Sequence, residues 1–177
     1  MFPILFWTIF ILGPIPMVHI LLHLFLKFWR RYPLGWYILC AAVWAIFFAI
    51  AEYFAARPFT LFIAPFWLKI FCAMVGLAAL AVVVWSVFTL SPRRFFLWAV
   101  LRPAAIEQKY IKAGPYRFLQ HPAYTVYLIT AFAAFLTTGE AALLALWLSM
   151  LGLMPVAIYL EKHELSKRLK NIHYVKQ

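Results

Sequence analysis

Long apolar stretches separated by short polar connections make up most of the chain. About 20 apolar residues suffice for a helix to cross a bilayer, and we predict five such spans. They lie at about residues 2–26, 34–55, 66–90, 122–138 and 141–160. The pattern therefore predicts an all-α polytopic membrane protein that forms a single membrane-embedded domain over residues 1–177. Because only residues 139–140 separate the last two spans, we expect these spans to form a tight antiparallel hairpin.

Irregularities within this pattern indicate where the spans bend and end. The first stretch has no early positive charge and is too long for the apolar core of a signal peptide, so we interpret it as a span. The sequence Gly-Pro-Ile-Pro at residues 13–16 should kink or break this helix. Residues 91–121 mix aromatic side chains with cations, which is typical of a helix at the headgroup level. Residues 161–177 are predicted to form a short basic helix or tail.

The composition excludes a soluble protein. Hydrophobic residues make up 67% of the chain and charged residues 12%, with a mean hydropathy of +0.92, whereas soluble domains have about 25% charged residues. Much of the surface must therefore face lipid. The net charge is +11, and the basic residues that carry it lie between the apolar spans. Membrane topology and anionic lipid headgroups explain this placement better than nucleic-acid binding does. We therefore expect a membrane and lipids as partners, and no nucleic acid.

The basic residues are concentrated on one side of the predicted membrane. With five spans, the first connection, residues 91–121 and residues 161–177 share a side, and they hold three, six and five of the 16 Lys and Arg residues. The opposite connections hold Arg57 alone. Since positively charged loops stay in the cytoplasm, we expect the N-terminus to lie outside and the C-terminus to be cytoplasmic.

Polar residues inside the spans are rare, and each is a candidate for function because it is costly to bury in lipid. His19 and His23 share one face of the first span, where metal ligation, proton relay and interhelical hydrogen bonding all fit the pattern. Cys40 and Cys72 lie in apolar stretches without clustered histidines, so we interpret them as buried apolar residues and expect no metal site.

A denser group of polar residues surrounds the last two spans. Residues 114–124 read Gly-Pro-Tyr-Arg-Phe-Leu-Gln-His-Pro-Ala-Tyr, and Pro122 fits the first turn of a helix, whose free N–H groups favour an anion. The hairpin should bring His121 and Tyr124 close to Glu161. Two interpretations stay open at this point: a solvated belt of interfacial side chains, or a site that carries chemistry.

This region resembles a known family. The order Gly-Pro-Tyr-Arg-x-x-x-His-Pro-x-Tyr, helical hairpin and acidic helix, from about Gly114 to Leu165, is similar to the isoprenylcysteine carboxyl methyltransferase and phospholipid N-methyltransferase superfamily. The resemblance implies a small multi-span enzyme that binds S-adenosylmethionine at the cytoplasmic face. It also implies an acceptor that enters from the bilayer: an isoprenylcysteine-like carboxylate or an amino phospholipid.

The resemblance also assigns expected roles to individual residues. Glu161 would accept hydrogen bonds from the ribose or amino group of the cofactor, and the helix start at Pro122, with Arg117, would receive its carboxylate. His121 or Glu164 would remove a proton from an amine acceptor. The implied cofactor-binding residues are Tyr116, Gln120, His121, Pro122, Tyr124 and Glu161, and the implied catalytic residues are His121, Glu164 and Arg117.

Three positions depart from the family pattern. Gln120 stands where the family has Arg, Val126 where it has Gly, and Lys162 where it has the second Glu of an acidic pair. These departures lead to an alternative: a catalytically silent relative that binds a lipid or a membrane partner. A reductase is disfavoured because the chain lacks a glycine-rich dinucleotide loop, and a transporter because it lacks an internal repeat.

Overall fold

The computed structural model describes residues 2–105 and 111–175, with side chains for residues 3–105 and 111–167. Within these ranges the fold is helical, which confirms the all-α prediction, and one isolated bridge joins Thr60 to Glu140. The α-helices are α1 (Phe2–Leu12), α2 (Pro14–Leu24), α3 (Leu26–Arg31), α4 (Pro33–Ala56), α5 (Phe66–Leu90), α6 (Pro92–Phe95), α7 (Trp98–Leu101), α8 (Pro122–Thr138) and α9 (Ala141–Val175). Two short 3-10 helices cover Pro103–Ala105 and Gly114–Arg117.

Four helical segments of the described chain are long and apolar enough to cross a membrane. They are Pro3–Leu24, Pro33–Ala56, Phe66–Leu90 and Ala141–Lys167, and the shorter apolar helix Pro122–Thr138 lies beside them. Large apolar side chains of these helices point outward; Phe66 and Phe88 of α5 are 78% and 80% exposed. Exposure on this scale suits contact with lipid and does not suit contact with water.

The first span is divided between two helices. Gly13 separates α1 from α2 at the position where the sequence predicted a kink, and Pro14 occupies the first turn of α2. A Cβ at Gly13 would collide with the ring of Phe47 in α4. The glycine therefore permits the close approach of the first span to α4, while the proline that follows starts a new helix because it lacks an N–H group.

The last helix joins the fifth span to the segment that the sequence predicted to be a short basic helix or tail. We expected a boundary between residues 160 and 161, but α9 continues without interruption to Val175. Pro155 is accommodated inside the helix, and residues 156–175 contain neither Gly nor Pro. Because α9 rises about 1.5 Å per residue, its C-terminal half extends beyond the apolar layer and carries Glu161 and the residues after it out of the span.

Residues 91–105 also differ from the expected helix at the headgroup level. They fold into the short helices α6 and α7, separated by Leu97 in the left-handed conformation with φ 66°. Ser91, with φ 68°, follows α5 directly. A regular helix cannot pass through positive φ, so Ser91 ends α5 and Leu97 separates α6 from α7. The segment is therefore a compact cap at one end of the spans.

Part of the buried core joins the first span to the last two helices. One buried cluster joins Leu12 and Ile15 to Tyr124 and Ala131 of α8 and to Met150 and Met154 of α9. Rings of α8 and α9 also meet at Phe132 and Trp147, whose centroids lie 4.6 Å apart. This packing sets the start of α8 against the part of α9 that leaves the apolar layer.

Candidate active site

The start of α8 positions the first group of polar side chains. His121 is the residue before the helix, and Pro122 is fully buried in its first turn. Proline is suited to this place because it lacks an N–H group, and an N–H group in the first turn of a helix would have no partner within the helix. The 3-10 helix of residues 114–117 precedes it and packs against α5, which brings Tyr116 to the same end of the molecule.

A carboxylate from α9 meets this group. Glu161 Oε2 accepts a hydrogen bond of 3.0 Å from the Tyr124 hydroxyl and lies 3.6 Å from His121 Nδ1. The rings of His121 and Tyr124 are stacked, with centroids 5.6 Å apart and planes 14° from parallel. The structure thus brings together three residues that the sequence pattern had placed close to one another.

These side chains line a cavity of about 250 Å³. The walls come from α2, from the cap that follows α5, and from the facing ends of α8 and α9. All six residues that the family resemblance implied as cofactor ligands line it: Tyr116, Gln120, His121, Pro122, Tyr124 and Glu161. Their proximity follows from the folded chain, and their roles as ligands remain predictions.

Burial shifts the acid–base properties of two residues in this cavity. The pKa of His121 is lowered because burial disfavours the imidazolium, and the nearby positive charge of Lys162 lowers this pKa further. Burial also raises the pKa of Tyr116 to about 12, with the Glu161 carboxylate adding to the rise and the Ser86 hydroxyl opposing it. At neutral pH the cavity therefore contains an uncharged imidazole, which can accept a proton, and a phenol that keeps its proton.

Two residues implied as catalytic do not reach the cavity. Among the described residues, its lining includes neither Arg117 nor Glu164. Arg117 is exposed, with its guanidinium 6.0 Å from the Phe118 ring. Glu164 Oε1 forms an ion pair of 2.6 Å with Arg30 Nη2. Their predicted catalytic roles therefore lack a direct contact with the cavity, and the Glu164 carboxylate has a structural partner in α3.

Other residues join the site that the sequence did not assign to it. His19 of α2 and Arg94 of α6 line the cavity, as does Tyr127, which lies one helical turn after Tyr124. The His19 ring meets the Tyr124 ring edge-on, with centroids 5.2 Å apart. The helical spacing of Tyr124 and Tyr127 was a usable signal, but His19 and Arg94 reach the cavity only through tertiary packing.

The metal interpretation of the histidine pair gains no support from the described residues. His19 Nδ1 donates a hydrogen bond of 2.8 Å to the Ile15 carbonyl, so one ring nitrogen is already used within α2. In the described part of the chain, no group of three or more His, Cys, Asp or Glu residues is arranged to hold a metal ion. For His19, the geometry favours packing and hydrogen bonding over metal ligation.

The three departures from the family pattern occupy different environments. Gln120 and Lys162 are exposed and line the cavity, so both alter its charge. Val126 is 6% exposed inside α8 and is accommodated within the packed helix. Arg94 supplies a cation on the cavity wall, at the same end of the molecule where Gln120 removes one.

The apolar helices and the polar cavity define an integral membrane protein with a candidate active site at one end of its spans. A family model described as phospholipid methyltransferase matches residues 66–171, more than half of the chain. The chain therefore belongs to the phospholipid methyltransferase family, which consists of membrane methyltransferases of the lipid-methylating type. The match covers α5, α8 and most of α9 and excludes α1–α4. Comparisons with curated proteins and with solved structures gave no significant match.

Proposed function

We propose that the protein transfers a methyl group from S-adenosylmethionine to a lipophilic acceptor at the cytoplasmic face of a membrane. The observation that carries this proposal is the cluster of His121, Tyr124 and Glu161 around one carboxylate oxygen, inside a cavity and inside the matched region. The side assigned to the cavity rests on the basic residues of the adjoining segments, which favour the cytoplasm.

The donors and acceptors of the cavity fit S-adenosylmethionine. Glu161 is an acceptor for ribose hydroxyl or amino groups. Arg94 and Lys162 are cations suited to a carboxylate, and they compensate for the arginine that Gln120 replaces. The faces of Tyr116 and Tyr124 suit a positively charged sulfur. When bound, the cofactor supplies an electrophilic methyl group.

The residues of the chain would then position the acceptor and, for a protonated amine, remove its proton. Positioning and exclusion of water supply much of the acceleration in such transfers. An amine attacks the methyl group through its lone pair, so a protonated amine must first lose a proton from its nitrogen, and the neutral imidazole of His121 would take it. A carboxylate acceptor releases no proton, so its transfer would not depend on His121 as a base.

The acceptor would reach the cavity from the bilayer. The end of α5 and the cap contribute the apolar residues Leu90, Phe95 and Val100 to the cavity wall, beside the cation Arg94. Such a surface suits the chain of a lipid or an isoprenoid, while the polar end of the cavity suits its head. An isoprenylcysteine-like carboxylate and an amino phospholipid both have an apolar chain and a polar head, so both fit this cavity.

Calorimetric titration of the purified protein with S-adenosylmethionine tests the proposal. We expect micromolar, saturable binding by the wild type and at least a tenfold higher Kd for Glu161→Gln and for His121→Ala, which corresponds to about 1.4 kcal/mol. His163→Ala is the matched control, since His163 is exposed on the same helix and stacks on Tyr159. A folded wild-type protein that shows no binding would rule out the proposed activity.

The alternative is a catalytically silent relative that binds a lipid or a membrane partner. Lys162 favours it, because a positive charge lines the cavity where the family has a second carboxylate. The two functions differ in turnover: a methyltransferase should label an aminophospholipid or a prenylated cysteine from methyl-labelled S-adenosylmethionine. If the protein retained a lipid but neither bound the cofactor nor labelled an acceptor, it would be a catalytically silent relative.

A further inference from the structure

A second cavity, of about 500 Å³, lies at the opposite end of the spans. Its walls come from α1, α4, the connection after α4 and the first turns of α9. Because α9 rises about 1.5 Å per residue, Glu140 at its start lies roughly 30 Å from Glu161. The second cavity is therefore separate from the candidate active site and adjoins the other face of the membrane.

Glu140 is the buried polar residue of this cavity. Its side chain is 3% exposed, and its Oε1 accepts a hydrogen bond of 2.8 Å from the Thr60 hydroxyl. Within residues 2–105 and 111–167, its Oε2 has no hydrogen-bond partner although it is buried. A buried acceptor without a donor is costly, so this oxygen calls for a donor from a bound molecule.

The backbone on both sides of Glu140 is held in place by hydrogen bonds to the connection between α4 and α5. Leu61 N donates to the Gly139 carbonyl at 2.8 Å, and Ala141 N donates to the Phe59 carbonyl at 2.9 Å. Gly139 has φ 72°, and a Cβ there would collide with the Phe62 backbone. The connection between α8 and α9 is thus fixed against the connection between α4 and α5 on both sides of Glu140.

A cation completes the polar end of the cavity. Arg57 lines it and lies with its guanidinium 4.3 Å from the centroid of the Tyr53 ring. In the part of the chain with described side chains, no ion pair joins Arg57 to Glu140. The cavity therefore offers an acceptor and a separate cation, which match an ammonium and a phosphate.

Apart from Ser149, whose hydroxyl donates to the Leu146 carbonyl, the remaining wall is apolar and belongs to the long apolar helices. Ile9 of α1, Phe47 and Ile50 of α4, and Ala145 and Leu146 of α9 form it. A molecule bound there must therefore have a hydrocarbon part. An entirely apolar occupant would leave Glu140 Oε2 without a donor, and an anionic headgroup would set a negative charge against this carboxyl group.

We propose that this cavity binds a zwitterionic aminophospholipid, with its ammonium on Glu140, its phosphate on Arg57 and an acyl chain along the apolar wall. The site does not depend on the proposed methyl transfer, since it lies at the other end of the spans. A primary ammonium satisfies Glu140 because it has N–H groups, whereas the quaternary ammonium of a choline headgroup has none to donate.

Native mass spectrometry of the delipidated full chain in detergent tests this proposal with dioleoyl lipids. We expect the wild type to bind phosphatidylethanolamine at least tenfold more tightly than phosphatidylcholine or phosphatidylglycerol. Glu140→Gln should lose this preference. Glu52→Gln should retain it, because Glu52 is an exposed carboxylate on α4 near the same end. Glu161→Gln should retain it as well, which separates this site from the candidate active site.

A second variant keeps the test decisive if Glu140→Gln does not fold. Ala145 is exposed on the cavity wall, so Ala145→Phe should fill the groove and remove the phosphatidylethanolamine bound in this cavity while Glu140 remains, whichever lipid the candidate active site binds. Equal affinity for the three lipids in the wild type, or unchanged selectivity in a folded Glu140→Gln or Ala145→Phe protein, would overturn the proposal.

Discussion

His121 and Lys162 face one cavity, and the charge of the lysine acts on the protonation of the imidazole. Burial is the larger cause of the lowered pKa of His121, and Lys162 is the second. The neutral form, which is the one able to accept a proton, therefore persists to a lower pH than in an ordinary histidine. Acid should reduce His121-dependent methyl transfer to an amine only below the ordinary histidine pKa.

Lys162→Met should raise the pH at which acid reduces His121-dependent methyl transfer. Removing a positive charge stabilises the imidazolium, so the pKa of His121 rises and the neutral fraction is lost at a higher pH. The pH profile of kcat/KM with an amino phospholipid should therefore show its acidic limb shifted upward. Lys167→Met, an exposed position further along the same helix, is the control. An unshifted limb would argue against His121 as the base.

Gly114 shows how one backbone angle sets the position of Tyr116. Its φ is 55°, and a Cβ there would meet the Thr89 hydroxyl and the Trp85 indole of α5. We expect Gly114→Ala to destabilise the protein by about 1–2 kcal/mol, since alanine is strained in the left-handed conformation, and to weaken cofactor binding by displacing Tyr116. Thermal unfolding and calorimetry measure the two effects.

Gly152 provides the matched control for this substitution. It lies within α9, and a Cβ added there would have no heavy atom within 4 Å. Gly152→Ala should be neutral or stabilise the helix by about 0.5–1 kcal/mol. If the two alanine variants behaved alike, the left-handed turn before α8 would not be what positions Tyr116.

An ion pair between α3 and α9 ties the first spans to the helix that carries Glu161. Arg30 Nη2 lies 2.6 Å from Glu164 Oε1, and Arg30 Nε donates to the Val100 carbonyl of α7 at 3.0 Å. The Glu164 side chain is 13% exposed. A single arginine therefore connects three elements around the candidate active site.

Arg30→Met should reduce stability by about 1–3 kcal/mol, because the mostly buried Glu164 carboxylate loses the ion pair with Arg30; fully buried pairs lose about 3–5 kcal/mol. The double variant Arg30→Met/Glu164→Gln should recover part of this loss, which a double-mutant cycle of unfolding free energies would reveal. Arg31→Met is the control, since Arg31 is exposed and lies over the Tyr32 ring. Additive losses in the cycle would mean that the pair contributes nothing.

The helices that the sequence predicted best are those with continuous apolar runs and proline at their starts. α5 begins after Pro65 and α8 begins at Pro122, as the pattern indicated. The cap at residues 91–105 was missed because positive φ at Ser91 and Leu97 has no sequence signal without glycine. The length of α9 was missed because the polar residues after Leu160 form helix as readily as tail.

Some residues of the candidate site could be predicted from local sequence, whereas others reach it only through tertiary packing. His121, Tyr124 and Glu161 were predictable because one motif contains the first two residues and the predicted hairpin places Glu161 beside them. His19 and Arg94 were not, because they come from elements whose packing no local pattern reveals. The family match begins at residue 66, so it also gives no information about the contribution of α2 to the cavity.

The orientation of the whole molecule decides which face presents the candidate active site. The basic cap and the C-terminal part of α9 lie at one end of the spans, and the connection that contains Arg57 lies at the other. The positive-inside rule therefore predicts a cytoplasmic active site and an aminophospholipid cavity at the opposite leaflet. A water-soluble cofactor would then enter from the cytoplasm, while the two cavities would sample different lipid populations.

Cysteine labelling in intact cells tests this orientation. In a Cys40→Ala/Cys72→Ala background, Leu61→Cys should react with a membrane-impermeant maleimide, because Leu61 is exposed at the end opposite the active site. Ser166→Cys, exposed on α9, should react only after the membrane is opened. The reverse pattern would place the candidate active site outside. The charge asymmetry would then reflect anionic lipid at the outer surface, because a polybasic surface binds anionic headgroups on whichever side it lies.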